Sequence, residues 1–258
     1  MSSKDIHKIL DGWAYQPGQV SVRLIHGFDG HPKIQMRINL GILQMEIIGR
    51  PDGQHPHGCE SILQYHMERR QKYHHDNGTD LGFTIDPEES QEIREEAYQY
   101  YQRYLANFVL ENYSAVARDT KRNLDALEFC KTYAAEDGDR YAMEVYRPYI
   151  VMMYSQSLAL LAMQDEAYRV ALKHTENGLK AIREFFKNMR QPKGYHVCPE
   201  TRILKSLRRE IKRHLPVNRS DQLRKRLKQA IEKERYEEAA HLRDELDDYL
   251  RNQQHAAD

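Results

Sequence analysis

Apolar and polar positions alternate strictly along much of residues 19–50. Val20, Val22 and Leu24 interleave with Ser21 and Arg23. Ile34, Met36, Ile38 and Leu40 interleave with Gln35, Arg37 and Asn39, and Leu43, Met45 and Ile47 with Gln44 and Glu46. A period of two turns one face of a strand toward a core and the other toward water. Gly27-Phe28-Asp29-Gly30-His31-Pro32 separates the first two runs, and Gly41 marks a bulge or a tight turn between the last two. The spacing predicts a small antiparallel meander of about three strands, preceded by one short helix before Pro17-Gly18. So small a sheet does not stand alone. The helix expected over residues 60–75, beyond the turn-rich connector 50–58, is the nearest element to cover it.

From residue 86 the period becomes helical. Asp86-Pro87-Glu88-Glu89 is a strong helix start: a capping carboxylate, a proline at the first helical position, and two acids at the positive end of the helix dipole. Four helices fit the pattern that follows, over 87–111, 113–134, 141–164 and 166–189. Positions 55 apart match: Leu105 with Leu160, Glu111 with Glu166, Tyr113 with Tyr168, Thr120 with Thr175, Leu124 with Leu179, Ala126 with Ala181 and Leu127 with Ile182. The repeating unit is a helical hairpin, and a tandem of hairpins resembles a TPR-like solenoid in architecture. The standard TPR period and its Trp/Gly/Pro signature are absent. A plain four-helix bundle without a groove is the alternative.

The tail has a pattern of its own. Leu223, Leu227, Ala230 and Ile231 recur at helical spacing, then Tyr236, Ala239, Ala240, Leu242, Arg243 and Leu246 do so after Glu234-Arg235. Alanines at a helix interface let two backbones approach closely, so these segments read as a tight antiparallel hairpin. Charge divides between its arms: residues 202–228 hold eleven Lys/Arg against two acids, and residues 232–248 hold eight acids against three bases. Such an arm pair complements itself, and one copy complements a second. Leu227-x-x-Ala230 followed by Tyr236-Glu237-x-Ala239-Ala240-x-Leu242-Arg243-Asp244 resembles the UVR motif. That motif is shared by subunits B and C of the bacterial excinuclease, by Clp-type ATPases and by activators of the bacterial protein-arginine kinase. The resemblance covers about 35 residues and implies a docking hairpin with no catalytic chemistry. It implies a protein partner, one with a matching hairpin or a second copy, with Leu227, Ala230, Tyr236, Ala239, Ala240 and Leu242 as the packing face. Glu237, Arg243 and Asp244 would then set orientation.

Taken together, the chain reads as α+β and mainly α. A sheet-plus-helix module spans 1–80, a TPR-like four-helix array 86–190, a linker and basic helix 191–217, and the hairpin 218–251. Bases and acids balance at 39 each, so no global charge calls for nucleic acid. Three cysteines far apart in sequence argue against a disulfide framework and for a reducing cytoplasm. The N-terminus has no signal-peptide pattern, and the longest uncharged run, 148–164, falls short of the ~20 apolar residues of a membrane span.

Three further groups of residues carry candidate chemistry. His55, His57 and Cys59, with His66 on the following helix, supply donors of the kind zinc takes, and His74, about two turns further on, is expected to share a face with His66. The chain lacks the Cys-x-x-Cys pairs of the kinase activators. A metal- or ligand-binding regulator centred on residues 55–75 is therefore the rival to a docking protein that needs no cofactor. Arg50, Asp52, His57 and Glu60 offer acid–base groups, but no nucleophile at a fixed spacing and no glycine-rich phosphate loop accompanies them, so no enzyme is expected. Arg208, Arg209, Lys212 and Arg213 on the basic helix offer phosphate contacts and leave a nucleic-acid accessory role open. The arm carries no aromatic residue for base stacking.

Overall fold

The computed structural model describes residues 5–215 and 219–255. By packing, the chain divides into Met1–Ile211 and Lys212–Asp258.

In the first unit, α1 (His7–Leu10) precedes a sheet of β1 (Ser21–His26), β2 (Pro32–Ile38) and β3 (Gly41–Glu46). The strands are antiparallel in the order β1-β2-β3. Ile38 pairs with Gly41, so Gly41 closes a tight turn rather than a bulge. The apolar face, with Ile34, Met36 and Met45 buried, packs on Ala106 of α3 (Pro87–Val109) and on Leu110. This corrects the expectation that the next helix, α2 (Ile62–Asn77), would cover the sheet. The polar face of β2 is not wet either, since Lys33 and Gln35 are both buried. Gln35 accepts from Arg23 at 2.8 Å and donates to Gln44 at 2.9 Å, a polar ladder across all three strands. Lys33 pairs with Asp29 at 2.6 Å and with Glu46.

Buried charges fasten the sheet to the helices. Arg103 of α3 donates to both oxygens of Asp119 at 2.7 and 2.9 Å, and to the carbonyls of Glu46 and Gly49 at 3.1 and 2.8 Å. Asp119 lies on α4 (Tyr113–Tyr133). Glu96 accepts the first backbone amides of α2, Ile62 and Leu63, at 2.7 and 3.2 Å. It also pairs with Arg122, and with Arg50 at 3.5 Å. Each charged side chain in this junction thus has an opposite charge beside it, as burial demands, although Arg50 Nε and Arg122 Nε find no hydrogen bond.

The array follows as α3, α4, α6 (Arg147–Gln164) and α7 (Tyr168–Asn188), each packed on the one before. Asp86 caps the helix as expected, and Glu89 reciprocates to complete a capping box. The third helix starts later than residue 141: α5 (Asp137–Ala142) and a short turn, Glu144–Tyr146, come first. Pro148 explains the break, because proline fits only the first turn of a helix. The 55-residue repeat is visible in the backbone. Glu111 and Glu166 both adopt left-handed φ, 56° and 55°. Asn112 and Ala167 then donate to Asn107 and Ala162 carbonyls at 2.9 and 2.8 Å. Thr120 and Thr175 donate to the carbonyls four residues back.

Residues 190–201 are not a free linker. They hold α8 (Gly194–Val197), with Tyr195 and Cys198 buried in the core shared by α3, α4, α6, α7 and α9 (Pro199–His214). Helix α9 packs on the array through Leu204, Leu207 and Ile211. Gly178 of α7 permits that approach: a Cβ there would lie 2.6 Å from Ser155 Cβ and 3.0 Å from Leu204 Cδ1. Among the described residues no helix is long and apolar enough to cross a membrane.

Candidate functional site

The second unit contains α10 (Arg219–Glu232) and α11 (Tyr236–His255), joined by three residues. Glu234 takes left-handed φ of 58°. The amides of Lys233, Glu234 and Arg235 donate to the carbonyls of Gln229, Ile231 and Ala230 at 3.1, 3.0 and 2.9 Å. These bonds satisfy carbonyls that a helix end leaves open. The turn is the one used in the array, with the same Glu-x-Tyr sequence: Glu111-x-Tyr113, Glu166-x-Tyr168 and Glu234-x-Tyr236.

Leu223, Ala230, Ala239, Leu242 and Leu246 are buried against one another, with Leu227 and Tyr249 packed at the edge. Ala230 and Ala239 are 3% and 8% exposed, so the alanines do bring the two backbones together beside the turn. Residues 219–249 match the UvrB/uvrC motif. No curated protein and no solved structure matches the chain.

The UVR hairpin uses its residues differently from the sequence expectation in one respect. Leu227, Ala230, Ala239 and Leu242 lie in the seam. Tyr236 and Ala240 lie outside it, Tyr236 at 69% exposure. Ala239 and Ala240 are one step apart, about 100° around a helix, so both cannot face one partner helix. Leu223, Leu246 and Tyr249 complete the seam instead, at the spacing 239, 242, 246, 249 that was legible in the sequence. Ile231, 53% exposed in the last turn of α10, and Tyr236, the first residue of α11, place apolar surface in solvent on both sides of the turn. Glu237, Arg243 and Asp244 are exposed as well. Among the described residues, ion pairs between near neighbours in sequence include Lys228–Glu232 at 3.8 Å, Arg235–Glu238 at 3.5 Å and Arg243–Asp244 at 3.1 Å. Exposed pairs of this kind contribute little stability and remain free to exchange partners.

The histidine-rich segment is arranged differently from a metal centre. His57 stacks on Tyr65 with ring centroids 4.1 Å apart, and His55 is exposed. Cys59 Sγ lies 3.6 Å from Glu68, and burial raises its pKa. His66 is buried, with Nδ1 3.0 Å from Arg69. Arginine only donates, so Nδ1 accepts and the proton sits on Nε2. His74 is exposed and bonds Asp80 at 2.9 Å, so it does not share the buried face of His66. Among the described residues no group of three or more His, Cys, Asp or Glu is placed to hold a metal ion. His55, His57, Cys59 and His66 therefore do not converge.

Arg50 and Asp52 pair with each other at 3.2 Å, and Arg50 also faces Glu96 as part of the junction. His57 and Glu60 are exposed beside it. On α9, Arg209, Lys212 and Arg213 are exposed and Arg208 is half-buried, opposite the apolar stripe that packs on the array.

Proposed function

We propose that the chain is a non-enzymatic adaptor that docks through its UVR hairpin onto a second copy of itself. The observation that carries this reading is the division of labour within the hairpin. The seam uses Ala230, Ala239 and Leu242, while Ile231, Tyr236 and the charged Glu237, Arg243 and Asp244 stay in solvent. A basic arm followed by an acidic arm suits an isologous contact, in which each copy lays its basic arm on the other's acidic one. The tandem helical hairpins supply a second, TPR-like surface for a client protein. A reducing cytoplasm is the compartment this reading expects, and excision repair or Clp-type proteolysis and stress control are the settings the motif points to.

The test is the mass of the full chain in solution, with Tyr236→Ala and Arg243→Glu as variants that leave the seam intact. The proposal expects a dimer that either variant shifts toward monomer, and more so in higher salt because exposed charges are screened. A wild-type chain that is monomeric at tens of micromolar removes self-docking. The exposed Arg209, Lys212 and Arg213 support a nucleic-acid accessory role as the second reading. That reading requires binding to duplex or single-stranded DNA that survives about 0.15 M salt.

A further inference from the structure

The array holds a cavity of about 560 Å3 between α3, α4 and the α5–α6 segment, lined by five tyrosines together with aliphatic side chains. Tyr101, Tyr104 and Tyr149 form its base. Tyr101 meets Tyr104 edge-on at 5.4 Å and Tyr149 at 6.2 Å between ring centroids. Tyr98 stacks on Tyr101 at 5.8 Å and, with Tyr146, forms an exposed rim; both are 62% exposed. Tyr104 is 1% exposed, and no hydrogen bond from its hydroxyl is seen among the described residues. Tyr104 lines the cavity, so a group that enters can accept a hydrogen bond from its hydroxyl.

The charges at the cavity narrow what can enter. Arg94 is the one charged side chain in the lining among the described residues, and Asp139 holds it at 2.6 Å. A phosphate-bearing ligand would find no free cation, and a cationic one no free carboxylate. What the cavity offers is aromatic faces and phenol donors. Burial raises the pKa of Tyr104 and pushes that of Tyr149 up to about 12, so both hydroxyls remain protonated. A helical ligand has already used its backbone carbonyls. A strand would need an open strand edge to pair with. A polyproline II segment has unpaired carbonyls along its whole length, no amide hydrogens at its prolines, and flat apolar rings that pack on aromatic walls.

We propose that this tyrosine-walled cavity docks an uncharged, proline-rich segment of a partner protein in the polyproline II conformation. The site extends the array half of the adaptor reading and is independent of what the hairpin binds. The test titrates the full chain into a fluorescently labelled, capped peptide of nine prolines, with a Gly/Ser peptide of equal length as control. Saturable anisotropy with a dissociation constant below about 1 mM is expected for the proline peptide alone. Tyr104→Phe keeps the ring and should weaken binding about fivefold, the loss of one hydrogen bond. Tyr98→Ala, at the exposed rim, should weaken it at least as much without unfolding the chain, which a melting curve checks. No saturation by the wild type, equal binding of the Gly/Ser peptide, or wild-type affinity in both variants would each overturn the proposal.

Discussion

Glu96 is fully buried and still makes its fold by charge. It receives two amides at the start of α2 and faces Arg122 and Arg50. Removing one partner of such a cluster strands the others in a dry site, at a cost of about 3–5 kcal/mol. Glu96→Ala should therefore lower the urea midpoint of the first unit by several times the effect of Glu95→Ala, its exposed neighbour. His66 makes a pH prediction. Burial lowers its pKa below 6.5, so it is neutral in the folded chain while the unfolded imidazole titrates normally. The unfolded state then binds more protons, and stability falls as pH drops below about 6.5. Melting curves at pH 7.5 and pH 5.5 should show a larger loss for the wild type than for His66→Gln; equal losses contradict it. None of this was legible in the sequence. Glu96, Arg103, Asp119 and Arg122 sit among polar residues of long helices and read as solvated faces until the sheet is laid over them.

At the scale of elements, period did most of the work. Alternation placed the three strands, and Asp86-Pro87 with the two acids after it placed the start of α3. The 55-residue repeat became two hairpins with the same left-handed glutamate. What period could not do was choose between neighbours, as Ala239 and Ala240 show. The seam predicts opposite outcomes for them. Ala239→Leu has no room and should cost about 1–3 kcal/mol by overpacking, whereas Ala240→Leu should change hairpin stability by less than about 0.5 kcal/mol. Amide exchange over residues 223–246 separates the two, and equal loss of protection in both would refute the seam. Gly178 makes the same kind of claim for the α6–α7–α9 crossing. Alanine would gain up to ~1 kcal/mol of helix propensity. Its Cβ would still fall 2.6 Å from a Cβ of Ser155, on rigid neighbouring helices. Gly178→Ala should lower the melting temperature of the first unit; a rise would show that the helices can part.

At the scale of the molecule, the packed first unit and the short hairpin are different kinds of object. The first carries several cores joined through buried charges. The second rests on one cluster of small and aliphatic residues in fewer than the ~40 residues that ordinarily fold unaided. A unit that marginal gains most from a surface to lie on, which is why its exposed apolar and charged residues are read as a docking face. The most direct measurement is multi-angle light scattering on the full chain and on a chain ending at Leu215, at equal concentration. The account predicts a full chain at twice its 30.6 kDa monomer mass and a shortened chain at the mass of one copy. The same number of copies in both would contradict it.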